Sequence, residues 1–286
     1  MATQQPQKSL KAGAIGSLGA IALGVAMMGP ALGIYANLGL VSEGAGRTSP
    51  AVFLMALLCI LPSAASYAYT AREIPSAGSA YTWLSRAINP FTGMWMGLVL
   101  AATYFIAVIL QPILFGVFFN ELVSLVAPAY AGYGTWLIGV LLSTAIVALL
   151  AYPGIELSAN GSLAVTILGT LVIVALACTV LIAKLQEGLS IFTSFNPAFS
   201  FLGPAGFFKG LVFALLSFVG FSVITTAAEE THSPREVIPR VVVWACVLLG
   251  LIWTFCAWPL SLALPDAAWG EHVRRGANPV ATVAQA

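Results

Sequence analysis

Ala26-Met27-Met28-Gly29-Pro30-Ala31-Leu32-Gly33 lies in the middle of the first long apolar segment, where a membrane helix should be least interrupted. Gly29 and Pro30 stand there side by side. Proline has no N–H, and its ring clashes with the carbonyl one turn back. In hydrocarbon the freed carbonyl needs another partner, so broken backbone is tolerated where it is buried in protein or lines a cavity. In transporters such breaks line the substrate site. A Pro kink between packed helices would leave the same local trace, since Gly and Pro are frequent in membrane helices. The stretch alone leaves site and kink open.

Composition settles the surroundings. The 286 residues are 60% hydrophobic and 7% charged, against about 25% charged in a soluble domain. The mean hydropathy is +0.98. This is the composition of an all-α integral membrane protein. The net charge of +1 gives no basic field for nucleic acid. Cys59, Cys178, Cys246 and Cys256 fall in apolar runs without metal-ligand spacing and read as packing residues. Residues 1–12 are polar and read as a disordered N-terminus. The apolar run that follows is too long for a signal peptide and lacks a clean cleavage site, so it reads as a retained first helix.

A spanning helix needs about 20 mainly apolar residues. Working outward from the break, seven segments qualify: 14–40, 51–71, 91–119, 135–153, 161–183, 207–228 and 239–263. The transmembrane body they form runs over 13–264. Ser42–Pro50, Ala71–Pro90, Asn120–Gly134, the Tyr152-Pro153-Gly154 turn, Lys184–Gly206 and Glu229–Pro239 read as linkers. With the N-terminus inside, Lys8, Lys11, Arg72, Arg86, Arg235 and Arg240 lie on the inner side. Arg47, Lys184 and Lys209 lie outside, with Arg274 and Arg275 in the tail. The bias of basic residues favours a cytoplasmic N-terminus in the plasma membrane. Residues 265–286 then form an extracytoplasmic tail. Its end, Asn278-Pro279-Val280-Ala281-Thr282-Val283, reads as the approach to a further helix, so a truncated chain is expected.

No carboxylate, histidine or lysine falls near the centre of a span, which argues against an intramembrane carboxylate relay. His232 and His272 lie in loops. No Ser/His/Asp group or metal cluster is visible, so the expectation is a protein that is not an enzyme, with no cofactor and no metal. The sixth span carries a second soft point, Ser217-Phe218-Val219-Gly220-Phe221-Ser222, with Thr225 and Thr226 a turn on. Small residues at such a place also serve plain helix packing. Yet paired soft points at matching places in two halves are the best sequence pointer to a transporter site.

Four motifs in order carry a resemblance. Ala71-Arg72-Glu73-Ile74-Pro75-Ser76-Ala77-Gly78-Ser79-Ala80-Tyr81-Thr82-Trp83 is similar to the segment after the second helix of the amino acid–polyamine–organocation permeases. Asn89-Pro90-Phe91-Thr92-Gly93 resembles the entry to their third helix, and Gly154-Ile155-Glu156-Leu157-Ser158-Ala159 the turn into their fifth. Glu229-Glu230-Thr231-His232-Ser233-Pro234-Arg235-Glu236-Val237-Ile238-Pro239-Arg240 resembles their loop between helices six and seven.

The resemblance implies a multi-span helical bundle of the five-plus-five inverted-repeat type, usually of twelve helices. This chain would hold helices one to seven, leaving the second repeat incomplete. It implies a secondary permease that moves amino acids or related amines by alternating access, with a proton, sodium or a counter-substrate as possible co-partner. Met28-Gly29-Pro30 matches the triplet whose N–H groups face the substrate carboxylate in the family. Pro30 cannot donate, which leaves Gly29 and Ala31. The carbonyls of Val25, Ala26, Leu216 and Ser217 would face the substrate amine, and Phe218 resembles the aromatic gate. Gly220 and Ser222 belong to the same break, and Ser222 stands where the family often has a glutamate. Gly169 falls near the place of a lysine in some members. Tyr104 and Gln111 are further polar candidates on the third span, with helix packing as their competing role. The missing donor at Pro30 raises an alternative substrate without a carboxylate, such as a polyamine. A seven-span sensor and a truncated, non-transporting membrane subunit are the other classes in view.

Overall fold

The computed structural model describes residues 24–26, 28–151, 155–186, 191–274, Val280 and Val283. The expected disordered terminus, the first residues of the first span, Met27, the Tyr152-Pro153-Gly154 turn and most of the tail beyond Arg274 lie outside the described residues. The chain is all-α. The helices are α1 (Pro30–Tyr35), α2 (Leu38–Ala45), α3 (Ser49–Glu73), α4 (Ser79–Ala87), α5 (Pro90–Val126), α6 (Tyr133–Ala151), α7 (Ile155–Gln186), α8 (Gly203–Leu216), α9 (Pro234–Ala263) and α10 (Asp266–Arg274), and a 3-10 segment covers Phe221–Glu230. Among the described residues, five helical stretches are long and apolar enough to cross a membrane: Leu38–Glu73, Pro90–Val126, Leu163–Leu185, Gly203–Glu229 and Pro234–Ala263. Gly24–Tyr35 and Tyr133–Leu149 are shorter apolar helices.

Several linkers are more helical than the sequence suggests, among them Ala71–Pro90, most of which is taken up by the end of α3 and by α4. Ser42–Pro50 was expected to be loop, but α2 runs through Ser42 to Ala45 and α3 begins at Ser49. The intervening turn is closed locally: the Thr48 hydroxyl donates to the Ala45 carbonyl at 2.8 Å, and Ser49 to Gly46 at 2.7 Å. On the third span, α5 runs beyond Asn120 to Val126. Nothing opposes helix there until Pro128, which disfavours helical backbone in the residue before it. Its other end is set by chemistry that the Asn89-Pro90 pair announces. Asn89 accepts the Thr92 N–H at 2.8 Å, and Pro90 occupies the first helical turn, where its missing N–H costs nothing.

The chain divides into two compact units, residues 1–77 with 162–286, and residues 78–161. In the first, α3 lies along α9, with Gly250 receiving Leu57, and α2 lies on α8. Lipid tails are as apolar as leucine, so helices in a membrane associate through close packing and hydrogen bonds. The α2–α8 contact is of that kind. A Cβ on Gly44 would stand 2.5 Å from the Gly206 carbonyl oxygen, and one on Gly206 would run into the Gly44 carbonyl. The Leu202 N–H donates to the Gly44 carbonyl at 3.1 Å and Phe201 to Ala45 at 3.3 Å, so the crossing is also tied by main chain. In the second unit, α5 meets α6 through Gly116 and Gly139: a Cβ on Gly139 would stand 2.9 Å from the Gly116 Cα. The outward faces of α5 carry large apolar side chains such as Phe105, Ile106 and Val108, as a lipid-facing helix requires.

Candidate functional site

Both soft points are interruptions of helix in the first unit. Gly29 has φ 57° and ψ 71°, the left-handed region that glycine enters without steric cost, and Pro30 starts α1 behind it. The carbonyl that Pro30 cannot serve is that of Ala26, four residues back, and it accepts the Gly29 N–H at 3.2 Å. A second, softer interruption follows at Ala36–Asn37 before α2. On the sixth span, α8 ends at Leu216 and the chain turns through Ser217–Gly220. Gly220 has φ 117°, and the chain restarts as a 3-10 segment at Phe221. The Phe218 and Val219 N–H groups close this turn onto the carbonyls of Leu215 and Leu216, at 3.0 and 3.1 Å.

The two interruptions are bridged. Asn37 Nδ2 donates to Ser217 Oγ at 2.7 Å, and that hydroxyl donates to the Gly33 carbonyl at 3.1 Å. Ser217 is 4% exposed, and Asn37 is half-buried. Trp253, from the middle of α9, joins it. Its indole Nε1 donates to the Pro30 carbonyl at 2.8 Å. Its ring meets Phe218 edge to face, with centroids 4.8 Å apart and planes at 87°. Both side chains are fully buried. Gly33 makes room for the indole, since a Cβ there would stand 2.6 Å from the ring.

Among the residues singled out in the sequence, Gly29, Pro30, Ser217, Phe218 and Gly220 lie in these two interruptions. Pro30 and Phe218 are brought together through Trp253. Val25, Ala26 and Met28 end the helical turn before the first break, with Met28 buried, and Ala31 begins the turn after it. Leu216 is half exposed and contributes its main chain, and Ser222 is half-buried in the 3-10 segment. Gly169 on α7 lies against Ala31, where an added Cβ would stand 3.3 Å from the Ala31 methyl. Gly169 thus lies beside the residue that follows the break and presents no charge there. Tyr104 and Gln111 lie on α5, in the other unit, half-buried and exposed respectively. The sequence reading missed Asn37, Gly33 and Trp253. A lone amide inside an apolar span was the available signal for Asn37, because such a group must find a hydrogen-bond partner in hydrocarbon.

Charged groups are gathered at the ends of the same unit. At one end Lys209 Nζ pairs with Glu43 at 3.0 Å, and Asp266 accepts both the Arg47 N–H at 2.9 Å and its Nε at 3.2 Å. At the other end the Ala77 N–H donates to Glu229 Oε1 at 2.9 Å. That bond joins the Pro75-Ser76-Ala77-Gly78 segment to the Glu-Glu loop, two of the four motifs in the sequence. Among the described residues, no group of three or more His, Cys, Asp and Glu side chains could hold a metal ion.

The amino acid permease family matches residues 15–273, and the chain belongs to that family. It is 28% identical over 250 residues to the low-affinity putrescine importer PlaP of Escherichia coli (strain K12), covering 86% of this chain and 53% of the relative. It is 26% identical over 280 residues to the branched-chain amino acid permease BcaP of Bacillus subtilis (strain 168), covering 93% and 58%. A chloroplastic cationic amino acid transporter 6 of Arabidopsis thaliana is 25% identical over 275 residues, covering 86% and 44%. The chain thus spans about half the length of the curated relatives it matches.

Proposed function

We propose that this protein is a secondary permease that moves amino acids or related amines across the plasma membrane by alternating access. The observation that carries this reading is the pair of interrupted helices, opened at Gly29–Pro30 and Ser217–Gly220 and bridged by Asn37 and Ser217. Backbone opened at membrane depth exposes carbonyls, and carbonyls are what an ammonium group seeks. The proposed site comprises Val25, Ala26, Met28, Gly29, Pro30 and Ala31 on the first span. On the sixth it takes Leu216, Ser217, Phe218, Gly220 and Ser222. The carbonyls of Val25, Ala26, Leu216 and Ser217 would receive the substrate nitrogen. The body of the permease comprises seven spans from a cytoplasmic N-terminus, with Arg47 and Lys209 on the outer side, and a proton, sodium ion or counter-substrate completes the cycle.

Substrates with a carboxylate and substrates without one remain as two versions of this reading. Relatives carry names of both kinds, a putrescine importer and a branched-chain amino acid permease. Pro30 favours the amine version, because it removes a donor where a carboxylate would be held. Uptake into proteoliposomes with competing putrescine, ornithine and leucine separates them. Strong inhibition by α-amino acids alone refutes the amine version. Gly29→Leu tests the site itself. A side chain at φ 57° strains the backbone by about 1–2 kcal/mol, and it fills the break. Uptake should be lost while the melting temperature falls by no more than about 8 °C. Wild-type uptake by this variant would remove the site assignment.

A further inference from the structure

We propose that Trp253 is the occluding and specificity-determining side chain of this site: its indole N–H holds the Pro30 carbonyl until a substrate ammonium takes that carbonyl in its place. The inference rests on the permease reading and adds a residue from the seventh span that no sequence motif marks. Four observations converge. The indole N–H donates to the carbonyl of Pro30, the first residue beyond the break, at 2.8 Å. The ring spans from that break to the other, meeting Phe218 edge to face at 4.8 Å. It lies against Gly33, where any side chain would collide with it. Finally, Trp253 and Phe218 are both fully buried, so the indole fills the space between the breaks rather than bordering it.

The exchange follows from donor strength. A carbonyl oxygen has two lone pairs, so the Pro30 oxygen can serve its own helix and one further donor. The neutral indole N–H is that donor here. A hydrogen bond from a charged donor is roughly twice as strong as a neutral one, so an ammonium competes well for the same lone pair. A carboxylate has nothing to donate to it. Once turned aside, the indole can offer its π face to the cation it has admitted. The carbonyl and the ring together therefore select for a positively charged nitrogen, whatever the rest of the substrate carries. A packing tryptophan would make none of these discriminations.

The test uses the full-length protein in liposomes, with putrescine and leucine as the probes. Trp253→Phe keeps the ring and its edge against Phe218 but removes the N–H. Without a donor to displace, KM for whichever probe the wild type takes should fall roughly three- to tenfold, the worth of about one neutral hydrogen bond. Gly33→Ala crowds the indole off the same carbonyl and should lower KM in the same direction. In the wild-type protein, a saturating probe should shift tryptophan emission as a buried indole moves, and Trp253→Phe should remove that shift. A purely structural tryptophan predicts an unchanged or raised KM, with transport falling through loss of folded protein. An unchanged KM in Trp253→Phe overturns the proposal, and so does a wild-type emission spectrum that ignores the probe. Wild-type protein that takes up neither probe overturns the permease reading and this proposal with it. Uptake by the wild type beside an unchanged KM in the variant overturns this proposal alone.

Discussion

Replacing Ser217 by alanine removes the hydroxyl that stands between the two interrupted helices. That hydroxyl accepts from Asn37 at 2.7 Å and donates to the Gly33 carbonyl at 3.1 Å. Hydrogen bonds between neutral side chains in membrane proteins average about 0.6 kcal/mol and reach about 1.7. Ser217 is 4% exposed and Gly33 buried, so the Gly33 carbonyl loses this partner away from solvent. Taking about 1 kcal/mol for each bond gives about 2 kcal/mol for Ser217→Ala when both bonds go. Asn37→Ala removes one of the two and should cost about 1 kcal/mol. The Asn37–Ser217 bond can be lost only once, so the double variant should cost about 2 kcal/mol rather than 3, a coupling of about 1 kcal/mol. In a detergent-solubilised thermal melt, Ser217→Ala should fall by about 4–8 °C, with the double variant close to it. Two-state behaviour would be checked with a second probe before free energies are assigned. Costs that add to within about 0.3 kcal/mol would show that the bridge carries no coupling, and the breaks would then be held by the surrounding packing alone.

Two further perturbations bear on the elements around the site. Gly206→Ala places a methyl group against the Gly44 carbonyl, and backbone must part to admit it; this should cost about 1–3 kcal/mol in the same melt. Gly134→Ala, with nothing within 4 Å of the new methyl, is the matched control and should lie within about 0.5 kcal/mol of wild type. Asp266→Asn removes the charge that Arg47 meets at 3.2 Å while keeping an acceptor for the Arg47 N–H. The Arg47 side chain is 48% exposed, so the loss should be about 0.2–1 kcal/mol and should vanish in about 1 M salt, where the screening length is about 3 Å. A loss that persists at high salt would refute the screened-pair account.

The all-α membrane fold was legible because it rests on composition and on apolar length, both properties of the sequence taken alone. The places of the two breaks were legible for a related reason: Pro30 and Gly220 act on the backbone of their own neighbourhood. Gly169 was read, by spacing from Ser158, as falling near the place of a family lysine; that it lies against Ala31 beside the first break comes from the structure alone. What was not legible depends on partners far along the chain. Trp253 lies 223 residues from the carbonyl it meets, and one tryptophan in an apolar span looks like any other. Asn37 meets Ser217 across 180 residues. Gly44 reads as a loop glycine because glycine usually ends helices, and its use as a crossing point becomes visible only when Gly206 is seen opposite it. Phe218, read by resemblance as a gate, is covered by a second aromatic ring that the resemblance did not supply.

The Gly44–Gly206 crossing also limits how this protein can be repaired. Where a bulky substitution collides with a neighbouring side chain, a smaller residue at the neighbour can restore the space. Here the obstructing atom on each side is a carbonyl oxygen, and no substitution can trim the main chain. The two positions have no mutual suppressor: a lesion at either can be relieved only by moving a whole helix, which would also shift the ends tied at Lys209 and Arg47.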